Sequence, residues 1–183
     1  MIPSLPSMRR KPSPRILQPR RSENEKRDLS PGMPSAAERA QLSGRATYGG
    51  YAKHKRDPYA WGLEPYRGRA PDRTFCEDTG FGIADQQRIP QLLRRGIDAG
   101  LFGDLVRQGD PTMLWTLDDD GWIYELRQTI PGRALYHGYP LLPTNALGRK
   151  VIARFENWYL SLSRAQRQPA MLAALRGAQE RYR

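Results

Sequence analysis

The feature that most constrains the fold is a pair of apolar alternations, Thr112 to Leu117 and Trp122 to Thr129, separated by Asp118, Asp119, Asp120 and Gly121. Two strand-like runs around a short acidic turn that ends in glycine predict a β-hairpin. Closing it with a four-residue loop sets Leu117 opposite Trp122, Trp115 opposite Tyr124 and Met113 opposite Leu126. Those six side chains then share one face, leaving Glu125 and Arg127 on the other. Pro131 and Gly132 make the next turn, and Arg133 to Tyr139 reads as a third strand stopped by Pro140.

Helical periodicity brackets this meander. Ile89, Leu92, Leu93, Ile97 and Leu101 recur at three- and four-residue intervals, which predicts a helix over 89–99 with Pro90 in its first turn and Gly100 at its end. Asn145 caps a second helix with the stripe Leu147, Val151, Phe155, Trp158 and Leu162. Ser163 and Gln166 form a capping box for a last helix, whose regular part Pro169 delays. The order helix, three strands, two helices predicts an α+β domain over residues 71–183, with helices on one side of an antiparallel sheet.

Charge divides the chain differently. Of 30 Lys and Arg residues, 15 lie in residues 1–70, where six acidic residues oppose them; the remaining residues carry a formal charge of about +2. Residues 1–45 read as a basic, proline-rich arm, disordered when free because so few large apolar side chains offset chain entropy. Within it, Ser35 and Glu38 have capping-box spacing for a short helix from Ala36 to Leu42. Arg9, Arg10, Lys11, Arg15, Arg20 and Arg21 are the candidate phosphate contacts of this arm.

Residues 46–70 interleave rings with cations: Tyr48, Tyr51, Tyr59, Trp61 and Tyr66 among Lys53, His54, Lys55, Arg56, Arg67 and Arg69. Neither helical nor strand period runs through this segment, which reads as extended. Stacking faces beside cations are what proteins use to grip unpaired bases; the competing reading is a loop clamped onto the domain by its rings. A histidine between cations has its protonated form disfavoured, so His54 is a candidate neutral base beside phosphate.

The register of the second and third strands decides whether the sheet carries chemistry. A three-residue loop, Ile130 to Gly132, puts Glu125 opposite His137 on the face of Arg127, converging an acid, a base and a phosphate clamp. A two-residue loop pairs Leu126 with His137 and turns the imidazole to the core. The first set resembles, in residue types on a sheet and over no contiguous motif, the small microbial ribonucleases and related bacterial toxins.

Three functions fit these residues. The first is a small nonenzymatic protein that binds RNA, single-stranded DNA or a nucleoprotein assembly through the arm and the aromatic segment. The second is a metal-independent ribonuclease, or toxin-like module, using Glu125, Arg127 and His137. The third is a protein-interaction subunit.

Several classes find no support. A single cysteine, Cys76, and two histidines write no zinc set and no internal disulfide, which fits a cytoplasmic setting. Cys76 is followed by Glu77 and Asp78 and has no cation beside it in sequence to activate it. No cofactor is implied, since glycine-rich phosphate fingerprints are missing, and Asp118 to Asp120 read as a solvated turn rather than metal ligands. No apolar run approaches the roughly 20 residues of a membrane span.

Overall fold

The computed structural model describes residues 27–69 and 73–183, so the six arm cations from Arg9 to Arg21 and the disorder expected of that stretch lie outside the described residues. Arg27 and Leu29, within the stretch that composition assigns to the arm, pack against the domain. Leu29 is buried in the core and pairs in a β-bridge with Gly103. Helix α1, Ala36–Ser43, follows, with both halves of the Ser35–Glu38 capping box formed. Its buried Leu42 packs with Leu93 and Ile97 of α2, Ile89–Asp98, and Pro90 sits in the first turn of α2 as its missing amide requires.

The main sheet has four strands in the order β1 (Thr47–Tyr48), β6 (Leu135–Pro140), β5 (Ile123–Ile130) and β4 (Met113–Leu117). β1 runs parallel to β6 as an edge strand that alternation in the sequence did not reveal, because it is two residues long. A separate antiparallel pair joins β2, Val106–Arg107, to β3, Asp110–Pro111. The chain ends in α3, Leu147–Ser161, and α4, Pro169–Arg181. The fold is therefore α+β.

Helices cover both faces of the sheet, not one. All five residues of β4 are buried, so each face needs apolar cover. Leu42, Leu93 and Ile97 meet Leu114, Leu126 and Tyr136 on one side. On the other, Val151, Phe155, Trp158, Leu175 and Tyr182 from the C-terminal end of the chain meet Met113, Trp115, Leu117 and Ile123. Each such large apolar side chain contributes on the order of 2 kcal/mol by leaving water.

The β4–β5 hairpin closes one residue later than the sequence predicts, pairing Leu117 with Ile123, Trp115 with Glu125 and Met113 with Arg127. The reason lies in the turn. The Asp118 carboxylate accepts from the amides of Asp120 at 3.0 Å and Trp122 at 2.8 Å, and Gly121 adopts φ 78°, which removes Trp122 from the ladder. The slip turns Glu125 and Arg127 onto the face of Trp115 and Met113, and Tyr124 and Leu126 onto the face of α2.

The β5–β6 connection matches neither expected loop. A turn over Pro131–Ala134, with Gly132 and Ala134 at positive φ, and an irregularity between Gln128 and Ile130 place Arg127 opposite His137 and Glu125 opposite Tyr139. His137 consequently shares a face with both Arg127 and Glu125, although Glu125 is not its direct partner.

Candidate functional site

α3 and α4 cover the β4 end of their face. The β5–β6 end is covered instead by residues 51–54, where a 3-10 turn, Ala52–His54, follows β1 across the sheet edge. The Tyr51 ring lies 4.6 Å from that of His137. His54 stacks on Tyr139 with centroids 4.3 Å apart and planes 18° apart. The two histidines are themselves near-parallel, with centroids 6.1 Å apart. Tyr66 meets Tyr51 edge-on at 5.9 Å.

Hydrogen bonds orient both imidazoles. His54 Nδ1 is 3.0 Å from the Thr74 carbonyl, which only accepts, so Nδ1 carries the proton and Nε2 holds the lone pair. His137 Nδ1 lies 2.9 Å from Thr129 Oγ1, which leaves its Nε2 as the nitrogen for other contacts. Burial holds both rings down to about 4, with Lys53, Lys55 and Arg73 adding repulsion at His54, and His54, Arg127 and Lys53 adding it at His137. At neutral pH the pair is uncharged. It nevertheless sits among the cations Lys53, Arg73 and Arg127, whose field favours an incoming anion.

Glu125 does not have the position of a base. It is 0% exposed, and its carboxylate accepts from Arg27 Nη2 at 2.5 Å, from the Tyr139 hydroxyl and from Trp115 Nε1 at 3.4 Å. Burial and the neighbouring Glu125 push the Tyr139 hydroxyl up, so it remains a donor. Glu125 therefore fixes Tyr139, which in turn supports the His54 ring. Arg127, exposed opposite His137, is free of that network and borders the imidazoles.

The aromatic segment is divided between this site and the interior. Tyr51, His54 and Tyr66 belong to the site, with Lys53 half-buried at its border. Trp61 and Lys55 do not form a gripping surface. Trp61 is 8% exposed and donates through Nε1 to Glu77 at 3.2 Å, and Lys55 is 2% exposed with Nζ over the Trp61 ring. Arg56 pairs with Asp78 at the surface, and Tyr48 is half-buried at the β1 edge. The clamp reading of these residues accounts for Trp61 and Lys55, and sequence reasoning separated the two groups nowhere because no period runs through the segment.

Arg27, Thr129 and Tyr139 were missed as site residues. Arg27 sits in a mixed-charge stretch with no pattern, and its value to Glu125 spans nearly the whole fold. Tyr139 and Thr129 alternate with His137 and Arg127 along their strands and become visible only once the register is known. Among the described residues no three His, Cys, Asp or Glu side chains gather closely enough to hold a metal ion, and no helix is long and apolar enough to cross a membrane. Comparison of the chain with protein-family models, curated proteins and solved structures finds no match.

Proposed function

We propose that the chain is a cytoplasmic ribonuclease that cleaves single-stranded RNA with side-chain acid–base catalysis. The observation that carries the reading is the pair of neutral, near-parallel histidines, each tied through Nδ1, beside the exposed Arg127. In such a reaction the RNA 2'-hydroxyl attacks the adjacent phosphorus. His54 Nε2, with its lone pair set by the Thr74 carbonyl, takes the hydroxyl proton. His137, held neutral in the free protein mainly by burial, takes up a proton beside the bound phosphate and gives it to the departing 5'-oxygen. Arg127 stabilises the extra charge on the phosphoryl oxygens. Tyr51 offers a ring face to a neighbouring base.

The test is incubation of the full chain with single-stranded RNA in chelator, with products analysed for 2',3'-cyclic phosphate ends. Cleavage that is lost in both His54→Ala and His137→Ala supports the reading, and intact RNA with the wild-type chain refutes it.

The formal excess of positive charge in residues 1–70 favours a second role for the arm, nonspecific attraction of the nucleic acid. RNA binding without cleavage in the same assay would leave the protein a nucleic-acid or nucleoprotein binder rather than an enzyme. Capture of a protein partner that survives high salt would instead favour an interaction subunit.

A further inference from the structure

His54 and Lys55 are adjacent in sequence and reach opposite sides of β6. His54 stacks on Tyr139, whereas Lys55 enters the cluster of Trp61, Cys76 and Tyr124. There Lys55 Nζ lies 3.1 Å from Cys76 Sγ and 3.8 Å from the centre of the Trp61 ring. Both nucleophiles are almost wholly buried, at 2% and 3% exposure. They also line a cavity of about 30 Å³ together with Tyr48, Phe81, Tyr124 and Gly138. That space admits one molecule of the size of water or hydrogen peroxide. Sequence reading found no cation near Cys76 because the lysine that meets it comes from the far side of the segment around residues 55–76.

We propose that Lys55 and Cys76 form a covalent modification site, in which a hydroperoxide oxidises Sγ and the Lys55 amine captures the oxidised sulfur as an N–S bridge. The Cys76 thiolate, paired with the Lys55 ammonium, attacks one peroxide oxygen; an S–O bond forms, the O–O bond breaks, and hydroxide leaves. Hydroxide takes a proton from the ammonium, giving water and a free amine. The amine nitrogen attacks sulfur, the N–S bond forms, the S–O bond breaks, and the departing hydroxide takes a second amine proton as water. Sulfur is oxidised, the peroxide is reduced, and the protein loses two hydrogens.

The packing favours this path over the usual ones. The cysteine is the only one in the chain and is buried, so no second thiol competes for the sulfenic acid within the molecule. The amine is held at hydrogen-bond distance by the Trp61 ring and needs only a small movement of a flexible stem. Burial pushes the Cys76 thiol up while Lys55 pulls it back, so oxidation is slower than at an exposed, activated thiol and depends on the lysine.

Treatment of the full-length wild-type chain with hydrogen peroxide, followed by nonreducing mass spectrometry, tests the proposal. The expected product is lighter by two hydrogens, yields joined fragments containing Lys55 and Cys76, and returns to the starting mass with dithiothreitol. Unchanged mass, oxygen addition without joined fragments, a joined product that retains oxygen, or a disulfide dimer would each overturn it. Because that readout uses the wild-type chain, it does not depend on any variant folding. In Lys55→Arg the bridge should be lost and Cys76 should instead be trapped by dimedone present as the oxidised protein is unfolded; the same loss of two hydrogens in this variant would also overturn the proposal.

Discussion

His54 and His137 face each other with ring planes 18° apart, one from the turn after the edge strand and the other from β6 itself. The Thr74 carbonyl and the Thr129 hydroxyl occupy their Nδ1 atoms, so both rings are aimed by backbone and neighbouring strand rather than by solvent. If these rings exchange protons with RNA, replacing either with alanine should lower the cleavage rate by about 10²–10⁴-fold while the fold, followed by circular dichroism, is retained. A loss of under tenfold in both variants would remove the pair from the chemistry.

The same rings make stability depend on pH. Their folded values, about 4, lie below the ordinary 6.5, so between those limits the unfolded chain binds more protons than the folded protein. Stability is therefore fully present above about pH 6.5 and is lost as pH falls towards 4, by roughly 2–3 kcal/mol for each histidine at most. Urea midpoints at pH 7 and pH 4.5 measure the drop. Substituting Phe for both histidines should shrink it, and an unchanged drop would show that other groups cause it.

Glu125 separates two roles by its substitutions. As a brace, its amide form still accepts from Tyr139, so Glu125→Gln should retain cleavage within about tenfold, whereas loss of a general base costs about 10²–10⁴-fold. Glu125→Ala strands the hydroxyl of the half-buried Tyr139 and one side of Arg27. Since Arg27 is 31% exposed, its lost ion pair is partly screened, and the variant should be destabilised by about 2–3 kcal/mol in urea denaturation.

Gly96 is where α2 touches the sheet. A Cβ there would collide with the Trp115 carbonyl of β4 and crowd Thr116. Although alanine is the better helix former by about 1 kcal/mol, Gly96→Ala should destabilise the protein by about 1–3 kcal/mol, because backbone cannot move aside as a side-chain tip can. Gly32, with open space around it, is the control, and its alanine variant should change stability by less than about 0.5 kcal/mol.

Trp61 and the arm cations should respond to different measurements. Trp61→Ala removes a buried ring and should cost about 3 kcal/mol of stability. Alanine at Arg9, Arg10, Lys11, Arg15, Arg20 and Arg21 should flatten the salt dependence of single-stranded RNA binding by about 0.7 in slope for each phosphate contact removed. A salt slope equal to that of the parent would exclude the arm from binding.

Much of the architecture was legible from local pattern. The capping box at Ser35, the start of α2 at Pro90, the long stripe of α3 and the delay of α4 to Pro169 all follow from interactions within a few residues. The site was legible only in its ingredients. Glu125, Arg127 and His137 do share a face, but the carboxylate is sealed by Arg27 and Tyr139, and the second imidazole arrives from residue 54. One extra turn residue, held by Asp118, was enough to put Glu125 and Arg127 on the face of Trp115 and Met113.

What the sequence by itself determined is the four helices, the three longer strands and the uneven placement of charge, because periodicity, caps and composition act over short stretches of chain. Only the tertiary structure decided strand register, the covering of both sheet faces and the two meetings across β6, His54 with His137 and Lys55 with Cys76. Those depend on which turn conformation satisfies its own amides and on how a patternless segment wraps a sheet edge, and neither leaves a repeat in the order of residues.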